Sequence, residues 1–234
     1  MALMATTQLL LAGAKKAIPI VLGYLPLGFA YGALASIAGI SLSLIVMMSL
    51  LVFAGSAQFI TVSMLAAGAG SASIVATVFL VNLRHLLMSA SMATYLPQFP
   101  RRLLPLLAFW LTDENYAVAC CELRESEKSH LYMLGLFGTA YGGWVAGSVL
   151  GGLLGGFFTS PSALMTMEYA LYAMFIFLLV IQCTERKLLF AACVSGALSL
   201  LFYLTIPGSW YIMLAAVCTA TMGVMAEKWK SSQS

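Results

Sequence analysis

Apolar runs of about 20 residues follow one another along nearly the whole chain, separated only by short polar or Gly/Pro intervals. A helix of about 20 apolar residues crosses a bilayer core of about 30 Å, so this patterning leaves few folds open. Charged residues make up 8% of the 234-residue chain, against roughly 25% in soluble domains, and 62% of residues are hydrophobic. Only helices and closed barrels satisfy their own backbone hydrogen bonds in lipid. The runs are continuous, without period-2 alternation, which argues against a barrel. The expectation is an all-α, polytopic α-helical membrane protein forming a single transmembrane domain over 1–234.

Breaks in hydropathy delimit eight candidate segments: 17–38, 41–66, 73–96, 103–123, 131–157, 162–184, 188–206 and 210–226. The last two are short for a crossing, so seven to eight transmembrane segments are expected. The net charge of +3 comes from Lys and Arg in connections and at the ends: Lys15-Lys16, Arg101-Arg102, Arg124 with Lys128, Arg186-Lys187, and Lys228 with Lys230. Such placement orients a membrane protein and is no nucleic-acid footprint. With eight spans and a cytoplasmic N-terminus, every group except Arg101-Arg102 falls inside, so both termini are expected in the cytoplasm. The apolar run Leu9-Leu10-Leu11 precedes Lys15-Lys16, the reverse of a secretory signal, and the first helix is expected to be retained. Cys120, Cys121, Cys183, Cys193 and Cys218 lie in or beside apolar segments without ligand spacing, and reduced structural thiols are expected.

Gly28-Phe29-Ala30-Tyr31-Gly32 returns 110 residues later as Gly138-Thr139-Ala140-Tyr141-Gly142. The echo suggests an internal two-fold repeat with halves 17–123 and 131–227. Four spans per half would make the halves parallel, an odd number would invert them, and repeat interfaces near the midplane are where transporters hold substrate. Close helix packing through small residues explains the same pattern without duplication.

Two charged clusters interrupt the apolar background, Asn82-Leu83-Arg84-His85 and Thr112-Asp113-Glu114-Asn115. An ionisable group near the bilayer centre costs about 2.5–3.5 kcal/mol on translocon scales, so such groups are paired or mark a pathway. The turn Pro97-Gln98-Phe99-Pro100-Arg101-Arg102 makes their segments antiparallel neighbours, and Arg84 and Asp113 are equidistant from its middle. Arg84 is therefore expected to pair with Asp113 or Glu114. One guanidinium cannot neutralise two acids, and the surplus carboxylate is a candidate for proton exchange. His85 adds an imidazole, although a lone histidine in a span is more often a hydrogen-bonding core residue, and Asn82 and Asn115 can bridge backbone or substrate.

Gly55-Ser56-Ala57-Gln58 lies inside the second segment, and Gly23-Tyr24-Leu25-Pro26-Leu27-Gly28 inside the first. Proline removes a helix hydrogen bond and glycine allows close backbone approach, so Pro26, Gly28, Gly55 and Ser56 are candidates for a helix break or a backbone-lined cavity. A close helix crossing accounts for Gly55-Ser56-Ala57 equally well. The Gln58 amide needs a partner in mid-span. Glu168 is expected to snorkel to the interface. Neither a metal-ligand spacing, a phosphate loop nor a nucleophile with its base is present in the sequence, so neither catalysis nor a cofactor is expected.

Phe53-Ala54-Gly55-Ser56-Ala57-Gln58-Phe59, Asn82-Leu83-Arg84-His85-Leu86-Leu87 and Thr112-Asp113-Glu114 with Tyr116, in this order, resemble the AzlC family of branched-chain amino acid exporters. The likeness is strong over 19–123 and rests on hydropathy and length beyond. It implies an inner-membrane permease that exports L-valine, L-leucine or L-isoleucine on the proton motive force, with a small AzlD-like hydrophobic membrane subunit as partner. The membrane argument assigns Arg84, Asp113, Glu114, Gln58, Asn82, His85 and Asn115 to the substrate and proton pathway. The alternative is a structural or channel-like membrane subunit whose buried charges only lock helix packing.

Overall fold

In the computed structural model, residues 2–96, 99–126, 128–157 and 186–205 are described, with isolated positions at 162–180 and 214–223. Most of the candidate segments 162–184 and 210–226, with Glu168 and Cys183, lies outside the described residues. The described regular elements are helical: α1 Ala2–Ile37, α2 Leu42–Leu51, α3 Gly55–Ala66, α4 Ser71–Ala93, α5 Leu104–Phe109, α6 Asp113–Glu125, α7 His130–Leu154 with a 3-10 turn Gly155–Phe157, and α8 Arg186–Thr205. By length and apolarity three of them can cross a membrane, at Thr6–Ile37, Ser71–Ala93 and His130–Phe157, while Leu42–Leu51, Gly55–Ala66 and Leu189–Thr205 are shorter apolar helices.

The chain divides into two units, one of residues 1–68 with 81–171 and the other of 69–80 with 172–234. The first is built on α1 against α7. Along α1 the buried positions Gly13, Ala17, Ile20, Tyr24, Gly28, Tyr31 and Ala35 recur every three or four residues, which is one helical face. They meet Tyr132, Leu136, Ala140, Gly143, Trp144, Gly147 and Gly151, the buried face of α7. Gly13 lies beside Tyr132, Gly28 beside Trp144, and Gly32 beside Ser148, so both helices run in the same direction. A Cβ on Gly32 would stand 2.1 Å from the Ser148 carbonyl oxygen, and one on Gly151 2.0 Å from that of Phe29. Here glycine is required by backbone touching backbone. In lipid, such contact replaces the hydrophobic drive that assembles helices in water.

Three sequence expectations change. The first segment, expected over 17–38, is a helix from Ala2, and Lys15 and Lys16 stand within it. Charge ends an apolar run but does not end a helix: at about 1.5 Å per residue, 36 residues reach about 54 Å, well beyond the hydrocarbon. Pro26 was a candidate for a helix break or a backbone-lined cavity, and α1 runs unbroken through it and through Pro19. Membrane helices absorb proline when neighbouring helices and local adjustments satisfy the freed groups. The segments expected over 41–66 and 103–123 are instead each interrupted, at Val52-Phe53-Ala54 and at Trp110-Leu111-Thr112. The two copies of the five-residue echo also sit differently, since Gly28 and Gly32 press on α7 whereas Gly142 has open space around it.

In the second unit, α8 carries apolar side chains on all sides, with Leu189, Phe190, Leu200, Leu201 and Leu204 exposed. A helix apolar all round belongs in lipid or a protein interior. Of the α4 residues in this unit, Val75 and Phe79 are exposed, while the exposed Leu83, Leu86 and Leu87 belong to the first unit.

Candidate functional site: a charged cluster between two interrupted helices

Both interruptions are followed by helix N-termini rich in polar groups. α6 begins with Thr112 as its N-cap, whose hydroxyl accepts from the Asn115 amide, and with Asp113 and Glu114 in the first turn. A capping hydroxyl and acids in the first turn both complement the unpaired amides and the positive end of the helix dipole. α3 begins at Gly55-Ser56 behind Ala54, which offers no capping side chain.

Arg84 of α4 joins these two ends. Its Nη1 lies 2.5 Å from Asp113 Oδ2, and its Nη2 donates to Ser56 Oγ at 2.6 Å. Glu114 makes a different contact: its Oε2 accepts from the Tyr24 hydroxyl at 2.6 Å, and the same hydroxyl is 2.6 Å from Thr112 Oγ1. Tyr24 comes from α1 and is buried, its ring edge-on to Trp144 of α7 and to Phe53 in the first interruption. The cluster thus gathers α1, α3, α4 and α6 around one guanidinium and two carboxylates.

An aromatic wall adjoins it. Phe53 packs edge-on to Tyr141 at 5.1 Å between ring centres, and Trp110 from the second interruption lies 5.6 Å from the same ring. Side chains from both interruptions and from α7 therefore meet beside Tyr24.

The other candidates divide. Gln58 is fully buried away from the charges, donating to Ser49 Oγ at 3.1 Å and accepting from the Trp144 indole at 2.9 Å. That pair of bonds ties α3 to α2 and α7. Asn115, also fully buried, donates to the Trp110 carbonyl at 2.9 Å and so closes the end of α5. The His85 ring lies 3.3 Å from the Asn82 carbonyl oxygen of its own helix. The Asn82 and Asn115 side-chain oxygens and Arg84 Nε are buried without a hydrogen-bond partner among the described residues. Gly55 lies under the Trp144 ring, and Gly28 meets the Trp144 carbonyl.

Tyr24, Thr112, Trp144 and Ser49 were not among the sequence candidates. Thr112 was legible: a threonine followed at once by two acids is a helix-start signature. Tyr24 and Trp144 lie about 90 residues from their partners, and apolar periodicity does not say which helices are neighbours.

A second polar knot sits at the other end of α6. Glu122 is buried and takes Lys16 Nζ of α1 at 2.7 Å, Lys128 Nζ at 3.0 Å and the Tyr132 hydroxyl of α7 at 2.8 Å.

The family model described as AzlC protein matches residues 19–158, which include every residue of the charged cluster. The chain belongs to the AzlC family. Inner membrane protein YgaZ of Escherichia coli (strain K12) is 31% identical over 94% of this chain and 91% of its own length. An Archaeoglobus fulgidus membrane protein is 32% identical over 88% of this chain and 90% of its own. Branched-chain amino acid transport protein AzlC of Bacillus subtilis (strain 168) is 26% identical over 89% of this chain and 80% of its own. No solved structure matches the chain. This AzlC-family member is therefore a membrane protein related to branched-chain amino acid transport, in a family associated with transport rather than catalysis.

Proposed function

We propose that the chain is an inner-membrane secondary transporter that exports branched-chain amino acids, L-valine, L-leucine or L-isoleucine, in exchange for protons. One observation carries the reading: a guanidinium and two carboxylates meet at two helix interruptions in a largely apolar chain, and the guanidinium is already committed to Asp113. A structural lock needs matched charges. This cluster has one acid more than it can match, as expected where a cation is taken up and released. Interrupted helices supply backbone groups at membrane depth, the arrangement with which transporters bind small zwitterions. Arg84 and the α3 N-terminus suit the substrate carboxylate, the surplus acid suits its ammonium or a proton, and the Phe53, Tyr141 and Trp110 rings suit an aliphatic side chain.

The crossings support a multi-pass reading. α2 and α3, with 10 and 12 residues, span about 33 Å end to end, and α5 with α6, with 6 and 13 residues, about 28 Å. Each pair makes one broken crossing. Counting α1, α2–α3, α4 and α5–α6 as four crossings leaves α7 parallel to α1, the direction they have, and agrees with a parallel two-fold repeat within seven to eight spans. With eight spans, Lys16, Lys128 and both termini lie in the cytoplasm, and Arg101-Arg102 outside. A small AzlD-like hydrophobic membrane subunit completes the exporter.

Cellular efflux of labelled valine, leucine, isoleucine and unrelated amino acids, with this chain alone and with a co-expressed small hydrophobic subunit, tests the reading. Faster efflux confined to the branched-chain set is expected. Unchanged efflux in both settings refutes it and favours a purely structural membrane subunit.

A further inference from the structure

We propose that Tyr24 sorts the two acids of the site: it holds Glu114 as the carboxylate that takes a proton and the substrate ammonium in turn, while Arg84 keeps Asp113 as a fixed counter-ion. The inference rests on the transport reading above and goes beyond it by separating the two acids and assigning a positioning residue on α1.

The separation follows from the partners. Asp113 receives a full positive charge from Arg84, whose other terminal nitrogen is held by Ser56 Oγ. Glu114 receives, among the described residues, only the neutral Tyr24 hydroxyl. Among the described residues, the charged and titratable groups around this pair are Tyr24 on α1, Arg84 and its neighbour His85 on α4, and Asp113 beside Glu114 on α6. The α7 and α2–α3 surfaces contribute the Trp144 and Phe53 rings against Tyr24. Hydroxyl donors and the α6 N-terminus stabilise a carboxylate, yet they do not neutralise it. Glu114 is therefore the carboxylate that needs a cation from outside the described cluster.

The hydroxyl pair beside it suits alternating charge. When Glu114 is a carboxylate, Tyr24 donates to it, as observed. When Glu114 carries a proton, Tyr24 accepts from that carboxyl and turns its own hydrogen to Thr112 Oγ1, a 2.6 Å contact in which either oxygen can donate. Tyr24 is held in place for both states by its burial between two rings.

Exchange follows from sharing one carboxyl. A zwitterionic amino acid arriving from the cytoplasm places its ammonium on Glu114, the carboxyl O–H bond breaks, and the proton passes to water. On release of the substrate outside, a proton from water re-forms the O–H bond. One substrate thus leaves for each proton that enters, with no other bond made or broken.

The chain purified together with its small hydrophobic subunit in lipid nanodiscs, in weak buffer with a pH-indicating dye, is titrated with L-leucine while binding is measured in parallel. Wild type is expected to release about one proton per leucine bound, and Glu114→Gln none. Glu114→Asp, which keeps the acid, retains release and keeps the test open if the glutamine variant does not fold. In Tyr24→Phe the pH midpoint of leucine binding is expected to rise by about one unit, because a carboxylate that loses one hydrogen-bond donor takes a proton more readily. A merely structural tyrosine leaves that midpoint in place. Leucine binding without proton release in wild type, undiminished release from Glu114→Gln, or an unmoved midpoint in Tyr24→Phe overturns this inference alone. No binding of any aliphatic amino acid to wild type overturns the transport reading with it.

Discussion

Substituting Gly151 by alanine asks whether the α1–α7 crossing holds the first unit together. A Cβ at Gly151 would stand 2.0 Å from the Phe29 carbonyl oxygen and 2.7 and 2.8 Å from its carbon and Cα, all backbone atoms. No rotamer change relieves that clash. Ordinary contact begins near 3.4 Å, so α1 and α7 must separate locally by more than 1 Å. Overpacking typically costs roughly 1–3 kcal/mol, and the upper part of that range applies because the obstacle is backbone and Gly32 and Gly147 share the seam. The control lies on the same helix: a Cβ at Gly142 would meet nothing within 4 Å, so its replacement by alanine removes only a flexible residue, worth up to about 1 kcal/mol of added helix stability. Denaturant titration of both variants in the same micelle gives the comparison. Equal stability of Gly151→Ala and Gly142→Ala would refute the packing scheme.

Other substitutions separate the remaining contacts. Neutralising Arg84 or Asp113 alone leaves a charge without its partner, so Arg84→Gln and Asp113→Asn should each destabilise, whereas the double variant should recover part of the loss; a coupling of about 1–3 kcal/mol in a double-mutant cycle is expected, and zero coupling contradicts the ion pair. Thr112→Val should cost about 1 kcal/mol of stability through the lost cap of α6, with Thr112→Ser near wild type. Gln58→Leu strips partners from the buried Trp144 indole and Ser49 hydroxyl, each worth roughly 1–3 kcal/mol when orphaned, and adding Trp144→Phe should restore a measurable share.

Much of the site was legible because local chemistry announced it. Arg84 and Asp113 stand out against apolar neighbours, and a short Pro-bounded turn between their segments sets them at one depth. The ion pair follows from counting along the chain. Gly55-Ser56 marked an interruption because a small, polar step weakens a span, and the helix restarts there. Pro26 misled for the opposite reason: one lost hydrogen bond does not open a helix whose other side is packed on α7. Tyr24 was invisible as a site residue. An aromatic in an apolar run reads as packing, and only the α1–α7 crossing, a tertiary fact, carries its hydroxyl to Glu114. Gln58 was rightly suspected of needing a partner, but its partner Trp144 lies 86 residues away.

Inside-out membrane vesicles containing the chain and its small subunit, energised to an acidic interior, offer the most direct test of proton-coupled export. Labelled valine should accumulate inside, and accumulation should vanish with a protonophore or with Glu114→Gln. Uptake no greater than in vesicles lacking the protein, or uptake indifferent to the protonophore, would contradict proton-coupled export through this site.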